Sequence, residues 1–461
     1  MLQRILKLLS VLGGIAFIVI GTMLLVAFGR GYSYDFHNHR ATLNGLVVMG
    51  SQPGNATILQ NGKDIHRKTP YRATLEAGEY SFEVNKDGFQ TWRKRVRVVA
   101  SGVSWLQYIW LLPTNLHTSK LATYPSVTSL QPSKDHRHFA YITTGANGGV
   151  WLLNPSNQQT TRVYTPLPAD ATNPAEALVD LTWAGDNQHL LLHSTIGATN
   201  RYQIITTGNS TTAPIDLTAT FKFDFSALKF DPSNWKVLFW LSPDGLRKLD
   251  VDAQTISAVL ADNVVSYNFG GDRVLYVQTT KLGKSLYSMD KAGRDKKELI
   301  QSLAESPSYQ ISYATYKGAD ELAVLPSQSR TATLYSNIYS SNPTAQVISK
   351  DADQILFNTD GRFLTYNSAV AIGTYDLEQN DFYVVVKNTE VGTITWFDNY
   401  HLLIVRRGEL HFTEFDGGND ATLSGINAGS AGFATSDQKG VLLSVLTGDS
   451  KVELHQIDMK Q

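Results

Sequence analysis

Few residues of this chain stand at spacings that chemistry requires. Gly283-Lys284-Ser285 has the ending of a phosphate-binding loop, but Gln278 occupies the place of its first glycine and no helical pattern follows. His189 and His193, at i and i+4, offer two imidazoles from one strand face to a metal, with no third ligand near them in sequence. His136 and His138 flank a turn and read as solvated. Asp416-Gly417-Gly418-Asn419-Asp420 is rich in oxygen donors. It lacks the alternate-residue spacing and downstream glutamate of a calcium loop, so it predicts a hairpin turn. Gly429-Ser430-Ala431-Gly432 has the wrong spacing for a nucleophile elbow. Without cysteine there is no thiol nucleophile, thiolate metal site, disulfide or lipidated N-terminal cysteine. These observations predict no catalytic residue, no metal and no cofactor. A carboxylate pair for glycoside chemistry would come from separate strands, at no fixed spacing.

The charge that does cluster is basic. Across the chain, 40 basic residues nearly cancel 41 acidic ones, which excludes a whole-chain field for nucleic acid. Residues 1–40 nevertheless carry a net +3, residues 41–113 a net +4 and the remainder a net −8. Three charge characters imply three structural units. Of the nine cations within 41–113, Arg67, Lys68, Arg72, Arg93, Lys94, Arg95 and Arg97 are candidates for contact with anionic headgroups or wall polymers. The competing reading is a solvated strand face, with Arg93, Arg95 and Arg97 outside and Val96 and Val98 inside.

Three kinds of element must carry these residues. Leu8 to Phe28 is an uncharged run flanked by Arg4, Lys7 and Arg30. At about 1.5 Å per residue it spans a bilayer's hydrocarbon core. It exceeds the h-region of a signal peptide, so an uncleaved anchor is expected, although Ala27-Phe28-Gly29 loosely resembles a cleavage site. The flanking charge favours a cytoplasmic N-terminus, residues 1–7, with the rest outside a plasma membrane crossed once. Residues 29–44 read as a juxtamembrane linker.

Residues 45–113 read as short strands in a compact antiparallel sheet, a sandwich. Asn61-Gly62 is a hairpin signal, and Tyr80, Phe82 and Val84 alternate with Ser81 and Glu83. The series Gly45, Val47, Ser51, Pro53, Ala56, Asn61-Gly62, Thr69-Pro70, Leu75, Gly78-Glu79-Tyr80, Val84, Lys86, Gly88-Phe89 resembles the PEGA domain family. Pro53-Gly54-Asn55-Ala56 departs from that family's namesake Pro-Glu-Gly-Ala in its middle pair. The resemblance implies a small β-sandwich of a bacterial or archaeal surface protein, without known catalysis. Trp105, Tyr108 and Trp110 close this region, and part of the stretch is expected to pack against the domain that follows.

From 114 onward a unit recurs: an apolar strand often ending in an aromatic, a turn of Asp, Asn and Gly, then a very apolar strand. Leu181–Leu192 and Ile355–Leu364 show it well, and weaker copies begin near Leu130, Tyr313 and Phe433. The period is that of a four-stranded propeller blade, and eight starts predict eight blades, with seven the alternative. The pattern resembles the Trp-Ser-Pro-Asp-Gly repeats of TolB-type, WD40-like propellers. Trp183 and Trp396 match its Trp and Asp360-Gly361 its turn, with no copy matching all five positions. The last copy lacks an outer strand, which 116–124 would supply, closing a propeller of 114–461. Trp183, Trp240 and Trp396 are expected between blades. The fold is thus all-β apart from one transmembrane helix. The expected function is a surface-displayed binding or scaffold protein whose propeller meets a cell-wall glycan or surface protein. The alternative is an extracytoplasmic polysaccharide hydrolase or lyase acting in the propeller channel.

Overall fold

A computed structural model describes residues 2–29, 32–35, 40–145, 147–208, 212–387, 391–424, 432–436, 440–446 and 451–460; Arg30 and Gly429-Ser430-Ala431 lie outside them. The chain divides into a unit of Met1–Leu116 with Lys460–Gln461 and a unit of His117–Met459.

Helix α1 spans Leu2–Gly29, its side chains described from Leu12 onward. Phe17, Ile18, Val19 and Ile20 are all exposed, as are Met23, Leu24, Leu25 and Val26. Exposure at consecutive positions means that the helix buries no stripe against protein. Among the described residues no helix is long and apolar enough to cross a membrane.

The rest of the small unit has eight strands: β1 (Tyr32–Asp35), β2 (Arg40–Gln52), β3 (Thr57–Gln60), β4 (Lys63–Lys68), β5 (Tyr71–Glu76), β6 (Gly78–Asn85), β7 (Trp92–Val98) and β8 (Val103–Trp110). They form two sheets, β1-β2-β5 with β8 on β2, and β4-β3-β6-β7. Alternate residues enter the core between the sheets: Val47 and Met49 of β2, Phe82 and Val84 of β6, Val96 and Val98 of β7. Asn61 and Gly62 both hold positive φ (51° and 76°), as a type I′ turn demands, and join β3 to β4. Two expectations need correction. The sheet is not purely antiparallel, because β8 pairs with β2 in parallel, from Leu46↔Val103 to Gln52↔Trp110. The chain crosses from β7 to the other sheet and so arrives running in the direction of β2. The stretch read as a linker also contributes structure: β1 pairs antiparallel with the start of β2, Tyr32 opposite Leu43.

The large unit is eight sheets in series. Seven follow the order of the chain, at 127–164, 177–216, 226–262, 264–303, 309–349, 352–387 and 391–424. The eighth takes three strands from 433–458 and its fourth from β9 (Thr118–Tyr124). Ile457 lies opposite Thr118 and Val452 opposite Tyr124, so one sheet joins the two ends of the unit. This is an eight-bladed propeller. The second strand of the first blade, Phe139–Thr143, is buried at every position, because blades cover it on both faces. First strands of several neighbouring blades approach one another, as Val264–Gly270 does Tyr309–Tyr316. One short helix, α2 (Leu217–Phe221), interrupts the strands. Asp216 caps it by accepting the Ala219 N–H at 2.9 Å, and Lys222 ends it with φ 58°.

Candidate functional site

The small unit has a polar groove of about 690 Å³ at the junction of β4 and β5. Its geometry begins with Thr69, which is 3% exposed. The Thr69 hydroxyl shares a hydrogen bond with Ser51 Oγ at 2.6 Å and accepts the Ala56 N–H at 3.1 Å. Its own N–H donates to the Ala56 carbonyl at 2.9 Å. This anchor fixes the corner between the two strands. On one side, β4 bulges: Thr57 faces Lys68 but Leu59 faces Asp64, leaving extra residues on β4. His66 takes φ 54° within the bulge and donates its N–H to Asp64 Oδ1 at 2.7 Å. Ile65 turns to the core, while His66, Arg67 and Lys68 turn to solvent. On the other side, Arg72 is exposed on β5 beside half-buried Tyr71.

Arg67, Lys68 and Arg72 therefore line one groove with His66 and Tyr71. Among the described residues, none of the three cations has a carboxylate within ion-pair distance. Like charges gathered this way repel one another, and an anion in the groove relieves the repulsion.

The other cations are placed differently. Arg93, Arg95 and Arg97 are exposed on β7, at the opposite edge of the sheet from β4. Arg93 meets Glu83 at 3.1 Å and Arg97 meets Glu79 at 4.0 Å, each directly across the β6–β7 ladder. Arg95 faces Ser81. Lys94 points the other way, its ammonium 5.1 Å from the Tyr108 ring centroid. The aromatics of β8 also separate. Trp105 is 55% exposed, Tyr108 packs on the sandwich core, and buried Trp110 lies 5.2 Å from the Lys460 ammonium. No local residue pattern marks the β4 bulge. The run His66-Arg67-Lys68-Thr69-Pro70-Tyr71-Arg72, basic residues on both sides of a Thr-Pro corner, is the signal that marks the groove.

In the propeller, polar side chains of the first strands stitch blade to blade. Ser129 accepts the Leu181 N–H at 3.1 Å, Ser266 the Tyr309 N–H at 2.9 Å and Gln310 the Ile355 N–H at 2.8 Å. Asn268 donates to the Ile311 carbonyl at 2.6 Å, Thr395 to the Gly432 carbonyl at 2.6 Å and Lys229 to the Tyr267 carbonyl at 3.0 Å. The described first strands carry Asp180, Asp231 and Asp353, and each has its own partner. These are Ser129, Lys291 at 2.6 Å and Arg330 at 2.7 Å. Trp240 is buried in the core, Trp183 Nε1 donates to the Gln131 carbonyl at 3.1 Å, and Trp396 stacks on Phe363 at 6.0 Å. The contacts of Trp183 and Trp396 cross from one blade to its predecessor. His189 binds Asp186 at 2.6 Å and stacks on Trp235, whereas His193 stacks on Tyr202. The two imidazoles thus serve different neighbours. Asp416–Asp420 is a turn between Glu409–Glu414 and Ala421–Ser424, with Gly417 at φ 80°.

Residues 44–109 match the PEGA domain family. The small unit contains a PEGA domain. No curated protein matches the chain. Among solved structures, the chain is similar to an oligogalacturonate lyase in complex with manganese, at 9% identity and TM-score 0.43, covering 76% of this chain and 97% of that one. It is also similar to a Porphyromonas gingivalis dipeptidyl peptidase 4, at 12% identity and TM-score 0.45, covering 71% of this chain and 56% of that one. A third likeness is to a eukaryotic initiation factor, at 12% identity and TM-score 0.46, covering 70% and 82%. The blade count of the propeller rests on the strand pairing within it.

Proposed function

We propose that this protein is a membrane-anchored, surface-displayed binding or scaffold protein without catalytic activity. Its PEGA domain lies against an anionic surface, and its propeller recognises a glycan or protein partner. The observation that carries the surface contact is the groove in which Arg67, Lys68 and Arg72 stand without carboxylate partners. Anionic headgroups and wall polymers both supply the phosphate or carboxylate that such a groove favours. Anchoring is supported by the uncharged run Leu8–Phe28 and by apolar side chains exposed all around α1. Binding is favoured over hydrolysis because polar groups of the described first strands are engaged in blade-to-blade hydrogen bonds and the three acids of those strands, Asp180, Asp231 and Asp353, have separate partners.

The test uses the full-length protein in detergent, added to vesicles of anionic or neutral lipid. Each basic residue near an anionic surface contributes about 1 kcal/mol, so the triple variant Arg67→Gln, Lys68→Gln, Arg72→Gln should bind anionic vesicles roughly 100-fold more weakly. The variant Arg93→Gln, Arg95→Gln, Arg97→Gln should lose much less, since Glu83 and Glu79 already engage two of its cations. Equal losses from both variants would remove the groove from the reading. Glycan-array and pull-down screens, run beside hydrolysis assays on wall polysaccharides, address the propeller. Retention without turnover is expected. Turnover lost on mutating channel-side carboxylates would establish the hydrolase instead.

A further inference from the structure

Between the fifth and sixth blades lies a cleft of about 390 Å³, within the range of about 300–1,000 Å³ that small-ligand sites occupy. Its walls come from strand residues and turns of both blades: Tyr316, Lys317 and Glu321 from the fifth, Tyr375, Glu378 and Asn380 from the sixth. The two blades are tied there by Glu378, which accepts from Tyr316 Oη and from Lys317 Nζ, both at 2.8 Å, and meets Arg362 at 3.0 Å. Tyr375 Oη shares hydrogen bonds with Gln346 Oε1 at 2.8 Å and Asn380 Oδ1 at 3.1 Å. Glu321 is the exception. It is only 5% exposed, yet among the described residues its Oε2 has no hydrogen-bond partner. A buried carboxyl oxygen without a partner is costly, and one that arrives with water or a ligand accounts for it.

The chemistry of the walls limits that ligand. Lys317 and Glu378 offset each other, and burial, with Asp320 nearby, pushes the Glu321 carboxyl above the ordinary range toward its neutral form. The lining thus offers donors, acceptors and two phenol rings with little surplus charge. Aromatic faces beside hydrogen-bonding groups of both kinds suit a polyhydroxylated, uncharged molecule. We propose that this inter-blade cleft binds a neutral sugar unit, free or at the end of a glycan, with a sugar hydroxyl, which can donate or accept, supplying the partner that Glu321 Oε2 lacks. The inference rests on the reading of the propeller as a glycan-binding element and assigns that role to one site.

Saturation-transfer NMR on the full-length protein in detergent tests it, with methyl glycosides of neutral hexoses and N-acetylhexosamines as probes. Short neutral oligosaccharides form a second arm, and glucuronic acid and glucosamine are the charged comparators. Neutral glycosides should show transfer, and Glu321→Leu and Tyr316→Ala should each weaken it roughly tenfold or more, the scale of one or two lost buried contacts. Tyr316 is half-buried, so its variant keeps the test open if Glu321→Leu misfolds. Transfer in the oligosaccharide arm alone, lost in both variants, would identify a glycan end as the ligand. Stronger transfer to the charged comparators would overturn the neutral-sugar assignment. Neutral-sugar binding unchanged in both variants would overturn the site while leaving glycan recognition by the propeller standing. No transfer from any sugar would overturn both.

Discussion

Glu176 shows how single residues in the propeller trade burial against partners. Its side chain is fully enclosed, which by itself raises the carboxyl. Hydrogen bonds from Ser194, Tyr164 and the Leu167 N–H, with the Arg201 guanidinium at 3.1 Å, outweigh burial and hold it below the ordinary glutamate range. A carboxyl depressed in the folded state contributes stability that is complete above its unfolded pKa of about 4.3 and is lost as pH falls through the folded value. Glu176→Gln should therefore lower stability near neutrality by roughly 1.5–3 kcal/mol, the scale of a hydrogen bond to a charged group. The melting curves of wild type and variant should converge below about pH 4. Circular dichroism melts between neutral and acid pH check this, and parallel curves would contradict it. A second residue prediction concerns Gly185, where a Cβ would sit 2.1 Å from the Pro232 carbonyl oxygen of the next blade. Gly185→Ala should destabilise the propeller by about 1–3 kcal/mol, as over-packing does, visible as a lowered melting temperature. Nothing in the sequence around Glu176 marks it, because its partners come from four separate strands or loops.

At the level of elements, legibility followed local pattern. The Asp, Asn and Gly turns between first and second strands exposed the blades, since positive φ at residues such as Asn187, Gly271 and Gly361 demands those types. The period survived even in weak copies: Tyr309–Tyr316 and Phe433–Ala434 each begin a blade. Features that depend on distant partners were hidden. The parallel pairing of β8 with β2 is a choice between sheets, which alternation along β8 does not encode. Helix α2 is too short for periodicity, and only its Asp216 cap hints at it. The groove was half legible: its cations were visible as a cluster, but their separation from those of β7 depends on the bulge in β4. Strand β9 carries the sharpest element-level prediction. Ala122→Pro removes a backbone donor opposite Leu454. It should lower the melting temperature of the whole propeller, not merely fray one edge, because the eighth blade then exposes an unpaired strand. A variant that melts like wild type would show that this pairing adds nothing.

For the molecule as a whole, the proposed arrangement is an anchor, a basic PEGA domain and a propeller whose region of the chain is acidic. External protease applied to intact cells should digest the PEGA and propeller regions while membranes retain an N-terminal fragment. Recovery of a soluble form beginning near Arg30 would show cleavage instead. The ring closure has a further consequence, one of timing. Strand β9 is made early, but the strand it completes is made much later, Lys120 meeting Glu453 across 333 positions. At about 5–20 residues per second the wait is on the order of half a minute. Throughout that interval β9 is an unpaired edge and the first blade lacks its neighbour, so the nascent chain is open to wrong partners. Chaperones that shield strand edges should therefore engage this protein late in its synthesis. A stop codon just before Val452–Asp458 should be as damaging as one several blades earlier.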